Sequence, residues 1–118
     1  HVFESAIDLL SFMTILKMKG EEIWNQNYLS IDGATGLGTD INDGNIPVAL
    51  DYFLRNNEIR NIYLHLDNDE AGKNTTTKIN HVLKKKYKIY DRTPKHGKDV
   101  NDELIHYIQK EKEMKKWN

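Results

Sequence analysis

The stretch Asn61 to Lys73, NIYLHLDNDEAGK, constrains this chain more than any other. Ile62 to Leu66 form a short, mostly apolar run with β-branched and aromatic members, and Asp67-Asn68-Asp69 and then Gly72 follow at once. A run this short that ends in carboxylates and a glycine reads as a buried parallel strand feeding a loop. Beyond Gly72 the pattern turns helical, with Ile79, Val82 and Leu83 as an apolar face near the end. Two Asp residues two positions apart at a strand's carboxyl end place two anionic groups at one mouth. Like charges that close repel unless a cation lies between them, and hard divalent cations take oxygen ligands. Mg²⁺ is the first expectation, with Mn²⁺ beside it.

The same residues also suit a turn and a helix cap, and the stretch alone does not separate the two uses. An EF-hand is excluded. Asp67, Asp69 and Gly72 hold loop positions one, three and six, but position twelve is Lys78, where a bidentate Glu is needed.

At 118 residues the chain is read as one domain over 1–118, long enough for a real core. It contains no Cys, which excludes disulfides, thiolate catalysis and Cys-based zinc sites. No signal peptide or long apolar span is visible, so the expectation is a cytoplasmic protein with no membrane association. The first residue is not Met and the chain starts within a strand-like run, which leads us to expect an excised piece of a larger protein. The net charge of -1 hides an asymmetry: 4 Lys and Arg against 12 Asp and Glu through Gly72, then 13 against 6 beyond it. An acidic half beside a basic half suits a metal-dependent site handling a polyanion. Solvated helix faces account equally well for Lys84 to Lys86 and for the run ending at Lys116.

The rest of the chain alternates in type. An opening strand leads through Glu4 into a helix whose stripe is read as Ile7, Leu10, Met13 and Leu16, with Leu9, Phe12 and Ile15 beside it. Ser5 can cap that helix, and Asp8 lies one turn beyond Glu4. A second strand, Tyr28 to Ile31, runs into a loop with Gly33, Gly36 and Gly38. The spacing is not that of a nucleotide-binding glycine loop and no Lys-Ser/Thr follows, so a surface loop through Gly44 is expected. Pro47 opens a helix with Val48, Leu50 and Leu54 as apolar members. After the third strand and its helix, Tyr87 to Asp91 alternates as a fourth strand. Asp99 or Asn101 then caps a last helix carrying Leu104, Ile105, Ile108 and Met114, whose basic tail frays. This β-α-β-α-β-α-β-α order predicts a Rossmann-like, doubly wound, mainly parallel four-stranded sheet flanked by helices. In such sheets ligands bind beyond the strands' carboxyl ends, where strand order reverses. If the first and third strands are neighbours, Glu4, Asp67 and Asp69 converge there.

Three segments in order resemble the Toprim domain of bacterial-type primases, topoisomerases, some recombination mediators and a family of nucleases. Phe3-Glu4-Ser5-Ala6-Ile7-Asp8-Leu9-Leu10-Ser11 is similar to its first motif, and Leu66-Asp67-Asn68-Asp69-Glu70-Ala71-Gly72 to its second. Lys98-Asp99-Val100-Asn101-Asp102-Glu103-Leu104 resembles the closing Lys-Asp-x-Asn motif of short modules in primase-related proteins of plasmids, phages and conjugative elements. Ser5 departs from the pattern, since many members carry Gly after the Glu.

The resemblance implies Glu4, Asp67 and Asp69 as a catalytic, metal-binding triad, with Gly72 as the structural turn. Asp8, Asp99, Lys98 and Lys73 are secondary candidates, the acids as ligands through water and the lysines as phosphate contacts. It implies a Mg²⁺- or Mn²⁺-dependent catalytic module of a DNA primase-like nucleotidyltransferase in replication or transfer of DNA. Its partners would be DNA or RNA, nucleoside triphosphates and other domains of the parent protein, and it would be feeble or inactive alone. The alternatives are a nuclease or topoisomerase module using the same triad for strand cleavage, or a non-catalytic nucleic-acid-binding module. A receiver-like phosphorylation domain shares the alternation, but it requires an acidic pair after the first strand and Glu4 stands without an adjacent acid. A monomer is the default.

Overall fold

A computed structural model describes residues 1–33 and 37–116. Eight elements follow the alternation of the sequence: β1 (Val2–Phe3), α1 (Ala6–Met18), β2 (Leu29–Ser30), α2 (Val48–Asn56), β3 (Asn61–His65), α3 (Glu70–Leu83), β4 (Lys88–Asp91) and α4 (Val100–Lys116). The strands form one sheet in the order β2-β1-β3-β4, and all three pairings are parallel. β1 lies between the strand that follows it and the strand after that, so the order reverses between β1 and β3. The α/β, doubly wound expectation is met, and the sheet is wholly parallel.

Alternation along the central strands sends side chains to two separate cores. Val2, Ile62, Leu64 and Leu66 face one way and pack with Ile31, Leu50 of α2 and Ile79 of α3. Phe3 faces the other way and packs with Ile15 and Phe12 of α1 and Val100 and Leu104 of α4. Thus α2 and α3 cover one face and α1 and α4 the other, as right-handed crossovers from a reversing strand order require. His65 shares the second face, buried against Phe3 with ring centroids 4.8 Å apart and Phe12 at 4.5 Å.

The inward stripe of α1 differs from the expected one. Ile7 and Leu10 are 66% and 60% exposed, whereas Asp8, Ser11, Ile15 and Leu16 are buried. The physical reason is a hydrogen bond network between the starts of two helices. Asn101 donates its backbone N–H to Asp8 Oδ1 (3.2 Å), and Ser11 Oγ donates to Asn101 Oδ1 (3.0 Å). These bonds fix the rotation of α1 so that Asp8 and Ser11 turn inward, and Ile7 and Leu10 follow outward. Val48 is likewise 85% exposed, and Pro47 sits at the cap position just before α2 rather than inside it. Of the glycine loop, Gly36 falls outside the described residues, as do Trp117 and Asn118 of the tail. Among the described residues no helix is long and apolar enough to cross a membrane.

Candidate functional site

The carboxyl ends of β1 and β3 meet where the strand order reverses, and each passes straight into an acidic residue. Register pairs Phe3 with His65, so Glu4 and the segment leading to Asp67 leave the sheet side by side. Glu4 Oε1 and Asp67 Oδ1 are both buried, and neither has a hydrogen-bond partner among the described residues. Buried polar atoms are nearly always paired, so two orphan carboxylate oxygens at one point need an explanation. The Glu4 carboxyl is pushed up to about 8. Burial is the largest cause, followed by hydrogen-bonding proximity to the Asp67 carboxyl and the charges of Asp67 and Asp69, partly offset by the Asp67 backbone N–H. Two carboxylates that abut in this way require either a shared proton or a cation.

Asp69 has a different local duty. Its backbone is extended, and Oδ1 accepts the Gly72 N–H at 2.7 Å, which caps α3. Oδ2 lies 3.5 Å from Lys98 Nζ. Gly72 sits against the Asp67 backbone so closely that a Cβ would come 2.1 Å from the Asp67 carbonyl oxygen. The glycine therefore sets the path by which Asp67 enters the site. Among the described residues no three His, Asp or Glu side chains already converge as a cation cage. The geometry joins Glu4 to Asp67 and holds Asp69 alongside in its capping role.

The closing segment docks on this loop. Asn68 donates its N–H to the Lys98 carbonyl at 2.6 Å, so the Lys98-Asp99 turn lies against the Asp67-to-Asp69 turn. Asp99 caps α4, accepting the Asp102 N–H at 2.8 Å, and Asp102 in turn accepts the Lys98 N–H at 2.8 Å. Asp8 is only 3% exposed, and both its oxygens are occupied, by Asn101 N–H and by Ser5 Oγ at 2.9 Å. Burial raises its pKa, while Ser5 and Asn101 oppose the rise. Lys73 is exposed on the first turn of α3. Sequence reasoning missed Lys78, which is 3% exposed with its ammonium on the Leu37 carbonyl (2.6 Å) and Asp43 (2.9 Å). A buried lysine amid threonines carries no periodic signal, and its partners lie 35 and 41 positions away.

The family model described as Toprim-like matches residues 1–104. The chain belongs to the Toprim-like family. No curated protein and no solved structure matches it. Membership makes this Toprim-like domain, in general terms, a metal-binding module that handles nucleic acid. The orphan oxygens of Glu4 and Asp67 suit such an ion, because a hard cation between them would satisfy both and remove their repulsion.

Proposed function

We propose that this domain is the Mg²⁺-dependent catalytic module of a DNA primase-like nucleotidyltransferase, working with other domains of a larger protein. The supporting observation is the pair of buried, unpartnered oxygens on Glu4 and Asp67 at the switch point of a parallel sheet. Glu4, Asp67 and Asp69 would hold Mg²⁺ or Mn²⁺. Such an ion, when bound, neutralises charge on phosphate oxygens and orients the attacking and leaving groups. The chain's own residues do the rest. Gly72 fixes the approach of Asp67, the cap on α3 fixes Asp69, and Lys98 and Lys73 supply positive charge at the rim for a polyphosphate or strand.

A second reading is strand cleavage by the same triad. Without an ion, burial and the Asp67 carboxyl raise Glu4 to about 8. An ion at the pair would lower it again, so Glu4 can carry a proton to or from the cleaved strand only where Asp67 and Asp69 hold the ion without it. One measurement tests what the readings share and a second separates them. Saturable Mg²⁺-induced amide shifts at Glu4, Asp67 and Asp69, lost in Asp67→Ala, are expected under both. Template-directed synthesis by the protein carrying this domain, abolished by Asp67→Ala with Asp69→Ala, is expected under the first alone. Synthesis that survives the double substitution sinks the proposal, and metal-dependent nicking without synthesis moves it to the second.

A further inference from the structure

Beside the acidic pair lies a cavity of about 610 Å³ that the chemistry above leaves unused. It opens between the carboxyl end of β2 and the start of α2, and its walls include Ile31, Asp32, Leu37, Pro47, Val48 and Tyr52. Gly33, another of its lining residues, donates its N–H to the Glu4 carbonyl at 2.7 Å, so the cavity adjoins the backbone of the site. Val48 and Tyr52 are 85% and 69% exposed and lie one turn apart on α2, an apolar residue and an aromatic ring unpaid for by any core. The opposite wall is held by an independent device. Lys78 reaches out of α3 to grip the Leu37 carbonyl and Asp43, and a buried ammonium is retained only where its partners are well placed. Asp32 carries a left-handed backbone, φ 58°, which Asp adopts more readily than most residues and which turns the chain out of β2 along the cavity.

We infer that this cavity is a nucleoside subsite, taking the base and sugar of a nucleotide whose phosphates lie at Glu4, Asp67 and Asp69. This rests on the proposed phosphate-handling role of that acidic site. The chemistry of the lining selects the uncharged part of the ligand. Asp32 is the single charged wall residue among those described, so the cavity repels phosphate while offering an acceptor for sugar hydroxyls or base amino groups. The Tyr52 ring supplies a stacking surface, and such stacking tolerates any base because every base has a π face. Phosphates at the ion site and base in the cavity would share one edge of the sheet, as the carboxyl-end rule places them.

The test compares ATP, inorganic tripolyphosphate and a short single-stranded DNA, each with Mg²⁺, by amide shifts and binding isotherms on the full chain. ATP is expected to shift Asp32, Val48 and Tyr52 together with the acidic residues, whereas tripolyphosphate shifts the acidic residues only. Tyr52→Ala, at an exposed position, should weaken ATP about tenfold and leave tripolyphosphate unchanged, with Asp32→Asn acting in the same direction. DNA binding with equal sensitivity to Tyr52→Ala would identify a strand end rather than a free nucleotide as the source of the nucleoside. Equal affinity for ATP and tripolyphosphate, with Tyr52→Ala neutral for both ATP and DNA, overturns the inference. If tripolyphosphate leaves the acidic residues unmoved, the phosphate role falls by itself. Adenosine then decides the cavity, through shifts at Val48 and Tyr52 or their absence.

Discussion

Two sets of carboxylates at the mouth between β1 and β3 and the helix starts beside it meet opposite fates. Asp8 and Asp99 are surrounded by donors: Ser5 Oγ and Asn101 N–H for the first, Asp102 N–H for the second. Glu4 and Asp67 leave a buried oxygen each without one. The residue types are the same, so the difference lies in what the backbone supplies around them. Helix starts offer N–H groups, and Asp8 and Asp99 each accept one from the first turn of α4. The mouth between β1 and β3 offers little beyond another acid. A satisfied carboxylate holds elements together, and an unsatisfied one waits for a cation or a proton. That contrast, rather than the presence of acids as such, separates structural from functional candidates here.

The contrast can be broken most severely at the glycine that shapes the unsatisfied side. Gly72→Ala puts a methyl group 2.1 Å from the Asp67 carbonyl oxygen, a backbone atom with little room to yield. Overpacking of that kind should cost about 3 kcal/mol, read as a lower midpoint in urea unfolding, together with loss of Mg²⁺-induced shifts at Asp67. On the satisfied side, Asp8→Ala removes the acceptor for the part-buried Asn101 N–H, which joins α1 to α4, and for the Ser5 hydroxyl at the start of α1. Unfolding stability should fall by about 2 kcal/mol, while Mg²⁺ titration of Glu4 and Asp67 stays near that of the wild type. An equal effect on metal binding would mean that the two sets are one.

Glu4→Gln should behave in the opposite sense. Removing one of two repelling acids is expected to stabilise the metal-free domain slightly, by less than about 1 kcal/mol after solvent screening, and to abolish its stabilisation by Mg²⁺. The pH dependence follows the same logic. The folded-state pKa of Glu4, about 8, lies above its ordinary value of 4.5, so the stability it contributes is complete below 4.5 and is lost as pH rises toward 8. Asp8, also raised by burial, acts in the same direction. His65 is opposite: burial, with help from nearby positive charge, lowers it from 6.5 to about 3, so its contribution is complete above 6.5 and fades as pH falls toward 3. His65 opposes Glu4 below pH 6.5. The decline that Glu4 imposes on the melting temperature in EDTA should therefore be read as the difference between wild type and Glu4→Gln from pH 4.5 to 8, and Mg²⁺ should flatten it. A decline unaffected by Mg²⁺ and by Glu4→Gln would remove Glu4 as its source.

How legible this was depended on how local each signal is. Asp67-x-Asp69-x-x-Gly72 could be read directly, because a strand end, a cap and a close-approach glycine all act within six residues. The parallel, doubly wound sheet followed from alternation and handedness, whereas the adjacency of β1 and β3 was a condition that the fold supplies. The inward face of α1 was misread, because Ile7 and Leu10 compete with Leu9, Phe12 and Ile15 at overlapping helical spacings, and only the distant Asn101 decides between them. The family resemblance groups Asp69 with Glu4 and Asp67, and the capping use that the stretch alone also allowed is the one its bond to the Gly72 N–H shows. Lys78 was invisible for the same reason as Asn101: its partners are remote in sequence and near only in the fold.

The finest test of the contrast is Lys98, which stands between the two sets. Its backbone belongs to the satisfied side, donating to Asp102 and accepting from Asn68, whereas its ammonium faces Asp69 at 3.5 Å. The side chain is 62% exposed, so the ion pair should contribute less than about 0.5 kcal/mol to stability. Lys98→Met should thus leave urea unfolding almost unchanged, because the backbone bonds survive the substitution. Metal and phosphate should respond in opposite ways. Without the ammonium, Asp69 is freer to turn to a cation and Mg²⁺ affinity should rise about twofold, since one competing charge at an exposed site is worth only a few tenths of a kcal/mol. Tripolyphosphate affinity at saturating Mg²⁺ should fall by a similar factor if the lysine touches phosphate. A fall in both affinities would mean instead that Lys98 positions Asp69 for the ion, and would move this residue from the rim of the site into its frame.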